Sequence, residues 1–479
     1  MIDTGKQGQN PREDATEASA GSREGDVAAG PKPAEPEPAT GPQRGSLKKL
    51  AFHGAAWTVF GFGTAQACRL AGNLVLTRLL APEVFGIMVL VEMVLAGIQM
   101  FSDFGIGTGV VRSPRGNQQR FLATAWTLQV MRGAGLWLAT CVAAVPMAIV
   151  YEAPILMQLI PFAGLSALVG GFTSTSVLSL RRDVNIKPLV IWEISSQIFS
   201  LLCMIALAWY LRSVWALAFG GVIRVLAAAT TSQFLIPGRK PRFAWDRAAA
   251  HELVNFGKWI FLATALTFLI QWGDRSLLGL FMTKPMLGLF ATATIWSRIA
   301  VEVLLRLNTQ VMFPIYADLF NRGDPLLRKK LFKARLGLAI AFVPPMWALS
   351  LGGQWMIDLL YDPRYAEAGW MLQILAAGAV GAVISVPASS ILLAVGDSKR
   401  HMILQAGRGL VLIACISAGV YLGGVTGMII GVAASKIVDY PLLAWSIRRY
   451  QVWMPALDLG AFLLSGMVIL GGHAYFGNI

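Results

Sequence analysis

The chain has 479 residues, 56% of them hydrophobic and only 14% charged, with a mean hydropathy of +0.60. Soluble domains carry about a quarter charged residues, so this composition excludes an ordinary globular enzyme and points to a polytopic membrane protein. The formal net charge of +14 fits Lys and Arg gathered in cytoplasmic loops against anionic lipid. It fits nucleic-acid binding poorly, because no basic stretch forms a foldable soluble module.

Residues 1–45 are polar, of mixed charge and rich in Gly, Pro and Ala, and they hold too little apolar surface to fold. They read as a disordered cytoplasmic tail, and no apolar secretory segment follows Met1, so the first membrane anchor is expected to stay in the mature protein. Twelve apolar spans follow, at 53–80, 84–111, 121–150, 155–180, 188–211, 214–236, 253–281, 286–317, 331–358, 368–395, 402–422 and 425–447. A weaker thirteenth covers 457–476. These runs are too long and too continuously apolar for barrel strands, so the expected class is an all-α polytopic membrane protein.

With the N-terminus inside, the cytoplasmic loops hold twenty basic residues and the opposite loops only Arg78, Arg212, Lys284 and Arg364. That asymmetry obeys the positive-inside rule. The longest cytoplasmic connection, 237–252, separates six spans from six. A Pro-then-Gly turn closes the first hairpin of each half, at Pro82–Gly86 and at Pro285–Gly288. The expected layout is two six-helix bundles, 46–236 and 253–450, related by a pseudo-twofold along the membrane normal with a cavity between them, plus an extra C-terminal helix in 451–479. The helices at 53–80 and 253–281 are expected to face each other across it.

The spans carry charges, and each one at a helix centre costs about 2.5–3.5 kcal/mol on insertion scales, so they must face protein or water. Arg69, Arg132, Arg224, Arg298, Glu302, Arg306, Lys436 and Asp439 fall near mid-span, while Glu92, Asp103, Glu193, Asp274, Arg275 and Arg408 lie nearer an edge. Some are expected to pair locally, Arg298 with Glu302 and Lys436 with Asp439. The basic excess still suits a water-filled cavity for an anionic head group, because the planar guanidinium matches phosphate. The candidate substrate-binding residues are therefore Arg69, Arg132, Arg224, Arg275, Arg298, Arg306 and Arg408. For any one of them, pairing within the bundle or snorkelling explains the charge at least as well.

Other chemistry is sparse. The four cysteines are scattered through apolar spans without CxxC spacing, and the four histidines form no cluster, so neither a metal nor a cofactor is expected. The chain holds no HExxH, GxSxG or Walker A pattern, and the longest loop on the far side, about 359–367, is too short for a catalytic domain, so no enzyme activity is expected. Trp57, Trp209, Tyr210, Trp215, Trp259, Trp355 and Tyr361 read as an interfacial aromatic belt.

Three stretches carry a resemblance: TRLLAPEVFGIMVLVEM at 77–93, SDFGIGTGVVR at 102–112 and GDRSLLGLFMTKPMLGLFATA at 273–293. Together they resemble the polysaccharide-transporter branch of the multidrug/oligosaccharidyl-lipid/polysaccharide exporter superfamily, which includes the Wzx-type oligosaccharide flippases. The family's RLL-x-P-x-x-F-G pattern falls on Arg78, Leu79, Leu80, Pro82, Phe85 and Gly86, and its seventh-span Asp falls on Asp274, followed by Gly279 and Gly288. The long tail and a C-terminus one span short of fourteen depart from the family pattern. The resemblance implies a two-lobed protein of the bacterial inner membrane that flips undecaprenyl-pyrophosphate-linked oligosaccharide outward by alternating access, coupled to a cation gradient. On that expectation Glu92, Asp103, Asp274 and Glu302 are the cation-coupling candidates. The partners are then the lipid-linked oligosaccharide, membrane lipid and polysaccharide polymerase or export machinery. A cation-coupled small-molecule exporter of the same superfamily is the near alternative. A membrane-embedded glycan polymerase or ligase, the alternative from another class, would need a large outer loop that this chain lacks.

Overall fold

A computed structural model describes residues 44–102, 110, 118–182, 186–234, 243–247, 268, 271–322, 325–450 and 452–476. Contacts divide the chain into Met1–Lys49 and Leu50–Ile479. Most of the tail, most of the 237–252 connection, Trp259 and Asp103 lie outside the described residues.

The described chain is helical. In the first half run α1 (Arg44–Leu79), α2 (Pro82–Phe101), α3 (Gln119–Val150), α4 (Leu156–Gly171), the short α5 (Ser176–Arg182), α6 (Ile186–Leu211) and α7 (Val214–Phe234). In the second half come α8 (271–281), α9 (Lys284–Leu307), a five-residue π turn (Asn308–Met312), α10 (Phe313–Asn321), α11 (Leu327–Leu360), α12 (Ala368–Ala394), α13 (Ser398–Val438), α14 (Tyr440–Arg448) and α15 (Pro455–Phe476). Nine helices among the described residues are long and apolar enough to cross a membrane. The protein is a multi-pass membrane protein of all-α class.

Local chemistry sets the breaks. α2 and α9 each start with proline in the first turn, where the missing N–H costs nothing, after an extended Ala81 or Thr283. α13 doubles back at Gly423–Gly424, and Gly424 takes φ +55°, a left-handed conformation that glycine tolerates. The arms of this hairpin then pack backbone to backbone: a Cβ on Gly427 would lie 2.0 Å from the Gly419 carbonyl oxygen. The expected break between spans eleven and twelve therefore falls at this glycine pair.

α3, α4, α6 and α7 pack among themselves, as do α9, α11, α12 and α13. α12 is the axis of the second half: 72% of its apolar window is buried, against 11% for α15, which lies at the margin. Its all-round apolar sequence explains this, since no polar face needs water. Where the halves meet, α2 crosses α9. This crossing, between α2 and α9, is the tightest described approach of the two halves; the expected facing of 53–80 and 253–281 falls largely outside the described residues.

α15 is fastened by an ion pair that the sequence reading did not anticipate. Arg335, counted there as a loop residue, is buried on α11 and donates to Asp458 of α15 at 2.5 Å. Tyr440 of α14 donates to the other Asp458 oxygen at 3.0 Å, and Trp453 donates to the Tyr440 hydroxyl at 3.1 Å.

Candidate functional site

Two features meet where the halves touch: a closely packed end and a cluster of charged residues deeper in. At the packed end, a Cβ on Gly86 would lie 1.8 Å from the Lys284 carbonyl oxygen, and one on Gly288 would lie 1.9 Å from that of Pro82. The two Pro-then-Gly turns thus interlock reciprocally, and only glycine permits the approach. The 359–367 connection adds a hydrogen-bonded latch. Tyr361 donates to Asn73 of α1 at 2.8 Å while accepting from Trp296 of α9 at 2.8 Å. Tyr365 donates to the Leu80 carbonyl at 2.8 Å, and Arg364 reaches the Arg78 carbonyl at 3.2 Å.

Burial pushes the Tyr361 phenol up to about 12 and raises that of Tyr365 as well, so both remain protonated donors. The hydrogen bond from Arg364 holds the Asp362 carboxyl below the usual carboxylate range. Tyr361 is therefore a buried structural contact, where the sequence suggested an interfacial belt. Trp209, Tyr210 and Trp355 are exposed, as that reading expects.

Beneath this end lie the charges. Glu92 of α2 is within electrostatic range of Arg224 of α7 and Arg275 of α8. Arg275 in turn is within range of Asp274, Arg298 and Glu302, and Lys436 of α13 within range of Asp274, Arg298, Arg408 and Asp439. Their helix positions agree in depth: counted from the packed end, Glu92 lies roughly 15 Å in, Lys436 roughly 18 Å and Arg298 roughly 21 Å at 1.5 Å per residue. That is near the middle of an apolar layer about 30 Å thick. Glu92 is exposed on α2.

Most of these groups are unpaired. Among the described residues Glu92, Arg224, Arg298 and Glu302 make no hydrogen bond or ion pair through their side chains. The expected Arg298–Glu302 pair does not form. Asp439 bonds Arg408 at 2.7 Å across the α13 hairpin, not the neighbouring Lys436. Setting that neutral pair aside leaves Arg224, Arg275, Arg298 and Lys436 against Glu92, Asp274 and Glu302, a mildly cationic cluster drawn from both halves.

The structure thus brings together Arg224, Arg275, Arg298, Glu92, Asp274 and Glu302 of the predicted residues, with Arg408 held at the edge by Asp439. It places three others elsewhere. Arg69 is exposed on α1 with no described partner. Arg132 donates to Ser102 Oγ at 3.1 Å and to the Gln99 carbonyl at 3.1 Å, and Arg306 stacks on the Phe62 ring at 3.8 Å. Lys436 joins the cluster although it was not among the binding candidates. Its depth was the available signal, masked by the assumed pairing with Asp439. No group of three or more metal-ligating side chains occurs among the described residues.

The family described as "Polysaccharide biosynthesis protein" matches residues 75–369, more than half of the chain and spanning both interlocking turns. The chain belongs to this family. The resemblance to the polysaccharide-transporter branch, carried by residues 77–93, 102–112 and 273–293, is borne out at that level. The lipopolysaccharide biosynthesis protein WzxC of Escherichia coli (strain K12) is 21% identical over 454 residues, covering 89% of each chain. In fold, the chain is similar to the lipid II flippase MurJ in an inward closed conformation, with a TM-score of 0.68 at 12% identity over 89% of this chain and 93% of that one. It is also similar to an inward-facing multidrug resistance MATE transporter of the MOP superfamily, with a TM-score of 0.60 at 12% identity over 85% and 95%. These likenesses establish a MATE-like fold.

Proposed function

We propose that this protein is an inner-membrane flippase that carries undecaprenyl-pyrophosphate-linked oligosaccharide from the cytoplasmic to the periplasmic leaflet for surface polysaccharide assembly. The observation that carries the reading is the set of unpaired charges at mid-depth, contributed by both halves. Such charges are retained in an apolar layer only where a ligand or water uses them. Arg275, Arg298, Arg224 and Lys436 would receive the pyrophosphate, the guanidinium groups through paired hydrogen bonds and Lys436 as a point charge. Glu92, Glu302 and Asp274 would bind the coupling cation, with Asp103 a further candidate outside the described residues. Membership of a polysaccharide biosynthesis family supports the pathway, and the MurJ-like fold supports the mode of movement.

In this reading the interlocked glycines and the Tyr361–Tyr365 latch close the periplasmic side, and the N-terminus is cytoplasmic. The cycle opens that end while the 237–252 connection lets the halves rock. Residues 243–246 of that connection already grip α3: Asp246 N–H donates to Thr124 Oγ1 at 3.1 Å, Thr127 Oγ1 donates to the Ala244 carbonyl at 3.1 Å, and Phe243 packs on Trp126. Movement is thus referred to the first half. Deleting the gene should stop surface polysaccharide export and leave lipid-linked repeat units on the cytoplasmic face, as read by lipid extraction and surface glycan staining. Intact export in a strain without a redundant relative would refute the proposal.

A further inference from the structure

α1 and α9 are tied at two levels. α1 ends and α9 begins at the packed end, and near it Tyr361 links Asn73 of α1 to Trp296 of α9. Farther in, the Arg306 guanidinium of α9 stands over the Phe62 ring of α1 at 3.8 Å. The two levels are roughly 16 Å apart along α1, from Asn73 to Phe62, and roughly 15 Å apart along α9, from Trp296 to Arg306, at 1.5 Å per residue. That agreement means the two helices run side by side and antiparallel over this length. Gln66 and Arg69 of α1 and Arg298 and Glu302 of α9 lie between the levels. Part of the charged cluster is thus bracketed, with Arg306 and Phe62 on the side away from the packed end.

The lower contact is slight. Phe62, Gln66, Arg69 and Asn73 fall within about 60° of one another around α1, at about 100° per residue, so they share one face. Behind the contact on that face, the Gln66 side-chain oxygen is buried and has no hydrogen-bond partner among the described residues. Arg306 itself is exposed and makes no ion pair or hydrogen bond through its side chain among the described residues, although Glu302 is one turn away. One guanidinium on one ring therefore separates a buried position from an exposed one. A cation over the face of an aromatic ring is attracted to it, but weakly where water competes.

α9 also weakens just past Arg306. The π turn Asn308–Met312 shifts the backbone ladder from four residues to five. Pro314, in the first turn of α10, has no N–H to give the Gln310 carbonyl. Asn308 is buried there and accepts from Ser390 Oγ of α12 at 3.1 Å. The joint is therefore held to α12 by a side chain while its own backbone bonding is interrupted. At its other end α9 is locked to α2 by the interlocked glycines. The Arg306 end of the helix can shift while that lock stays closed.

We infer that Arg306 on Phe62 is a cytoplasmic gate to the charged cluster, made and broken by movement of α9 at the Asn308–Met312 joint. The inference rests on the flippase reading and adds a gate opposite the periplasmic latch. It also gives Arg306 a role other than binding the head group. A single cation–π contact suits a gate because it closes a path without committing the two halves to stay together.

The test uses the full-length protein with Cys68, Cys141, Cys203 and Cys415 changed to serine, in inverted vesicles that expose the cytoplasmic face. Gln66→Cys is the reporter and a charged, membrane-impermeant maleimide the probe. Labelling of the reporter should be slow with the gate intact. Phe62→Leu keeps apolar bulk but removes the ring, and Arg306→Gln removes the cation. Each should speed labelling at least about threefold, the loss expected of a cation–π contact at an exposed site. Phe62→Trp keeps a ring and should label no faster than the reporter alone. Unchanged rates in Phe62→Leu and Arg306→Gln would overturn the gate, and so would acceleration by Phe62→Leu alone, which would make Phe62 a plain apolar plug. A second reporter, Thr292→Cys, is buried on α9 nearer the packed end and should stay unlabelled throughout. Its labelling in the gate variants would mean general loosening and would also overturn the assignment. No substrate enters this measurement, so its failure strikes the gate alone, while the flippase reading stands or falls by lipid movement in vesicles.

Discussion

Gly288→Ala should destabilise the protein by about 1–3 kcal/mol, the usual cost of forcing an extra methyl into a packed site. The added Cβ would lie 1.9 Å from the Pro82 carbonyl oxygen and 3.0 Å from the Gly86 nitrogen, both backbone atoms that no rotamer change can move aside. α2 and α9 must separate, and the Tyr361 and Tyr365 hydrogen bonds beside them loosen with them. Gly86→Ala should cost a similar amount, for its Cβ meets Lys284 backbone at 1.8 Å. The double variant should cost clearly less than the sum, because either methyl alone already pushes the same two helices apart. Gly337→Ala is the control: it sits in α11 with nothing within 4 Å, and alanine there should be neutral or stabilising by up to about 1 kcal/mol. Denaturation in detergent measures all four. Full additivity would mean that the two turns do not share one contact.

Asp458→Ala should be at least as damaging, at about 3–5 kcal/mol, because it leaves the Arg335 cation buried without its counter-charge. The side chains are 3% and 1% exposed, so water cannot replace the lost partner. Tyr440 loses its acceptor in the same substitution. An Arg335→Met/Asp458→Leu protein should regain most of the loss, since a buried ion pair exchanged for apolar residues of similar volume is close to neutral. Thermal denaturation of the three proteins decides it. A mild effect of Asp458→Ala, within about 0.5 kcal/mol as for surface positions, would remove α15 from the structural core.

Span existence was legible in the sequence because lipid leaves a helix no alternative to a long apolar run. The break at Gly423–Gly424 was legible for the same reason: a glycine pair between two such runs has few other uses. The Pro-Gly turns at 82–86 and 285–288 were visible as a repeat, but not their interlock, since reciprocal contact across 200 residues leaves no local pattern. Pairing was the least readable feature. Helical spacing favoured Lys436–Asp439, whereas the α13 hairpin brings Arg408 to Asp439 from 31 positions away. Arg335 misled for a related reason. A cation close to a predicted span end looks solvated until a partner such as Asp458 buries it. Depth put Arg298 and Arg224 at mid-span and Arg275 nearer an edge, and it could not separate them from Arg132 and Arg306. Helix rotation puts those two beside Ser102 and over Phe62.

In the proposed cycle the mid-depth cations hold an anionic lipid head during its passage across the membrane. Reconstituted vesicles carrying a fluorescent undecaprenyl-diphosphate-linked sugar, with quenching of the outer leaflet, measure that passage directly. Wild-type protein should move the lipid between leaflets, and Arg275→Gln/Arg298→Gln should slow it at least about tenfold, the loss expected from removing charge-assisted hydrogen bonds worth about 1.5–3 kcal/mol each. The thermal stability of the variant should stay near that of the wild type, because Arg298 has no described partner to abandon and Arg275 gives up only its stacking on Trp272 at 4.8 Å. Wild-type vesicles that leave the lipid where it started, or a stable double variant that moves it at the wild-type rate, would contradict the account.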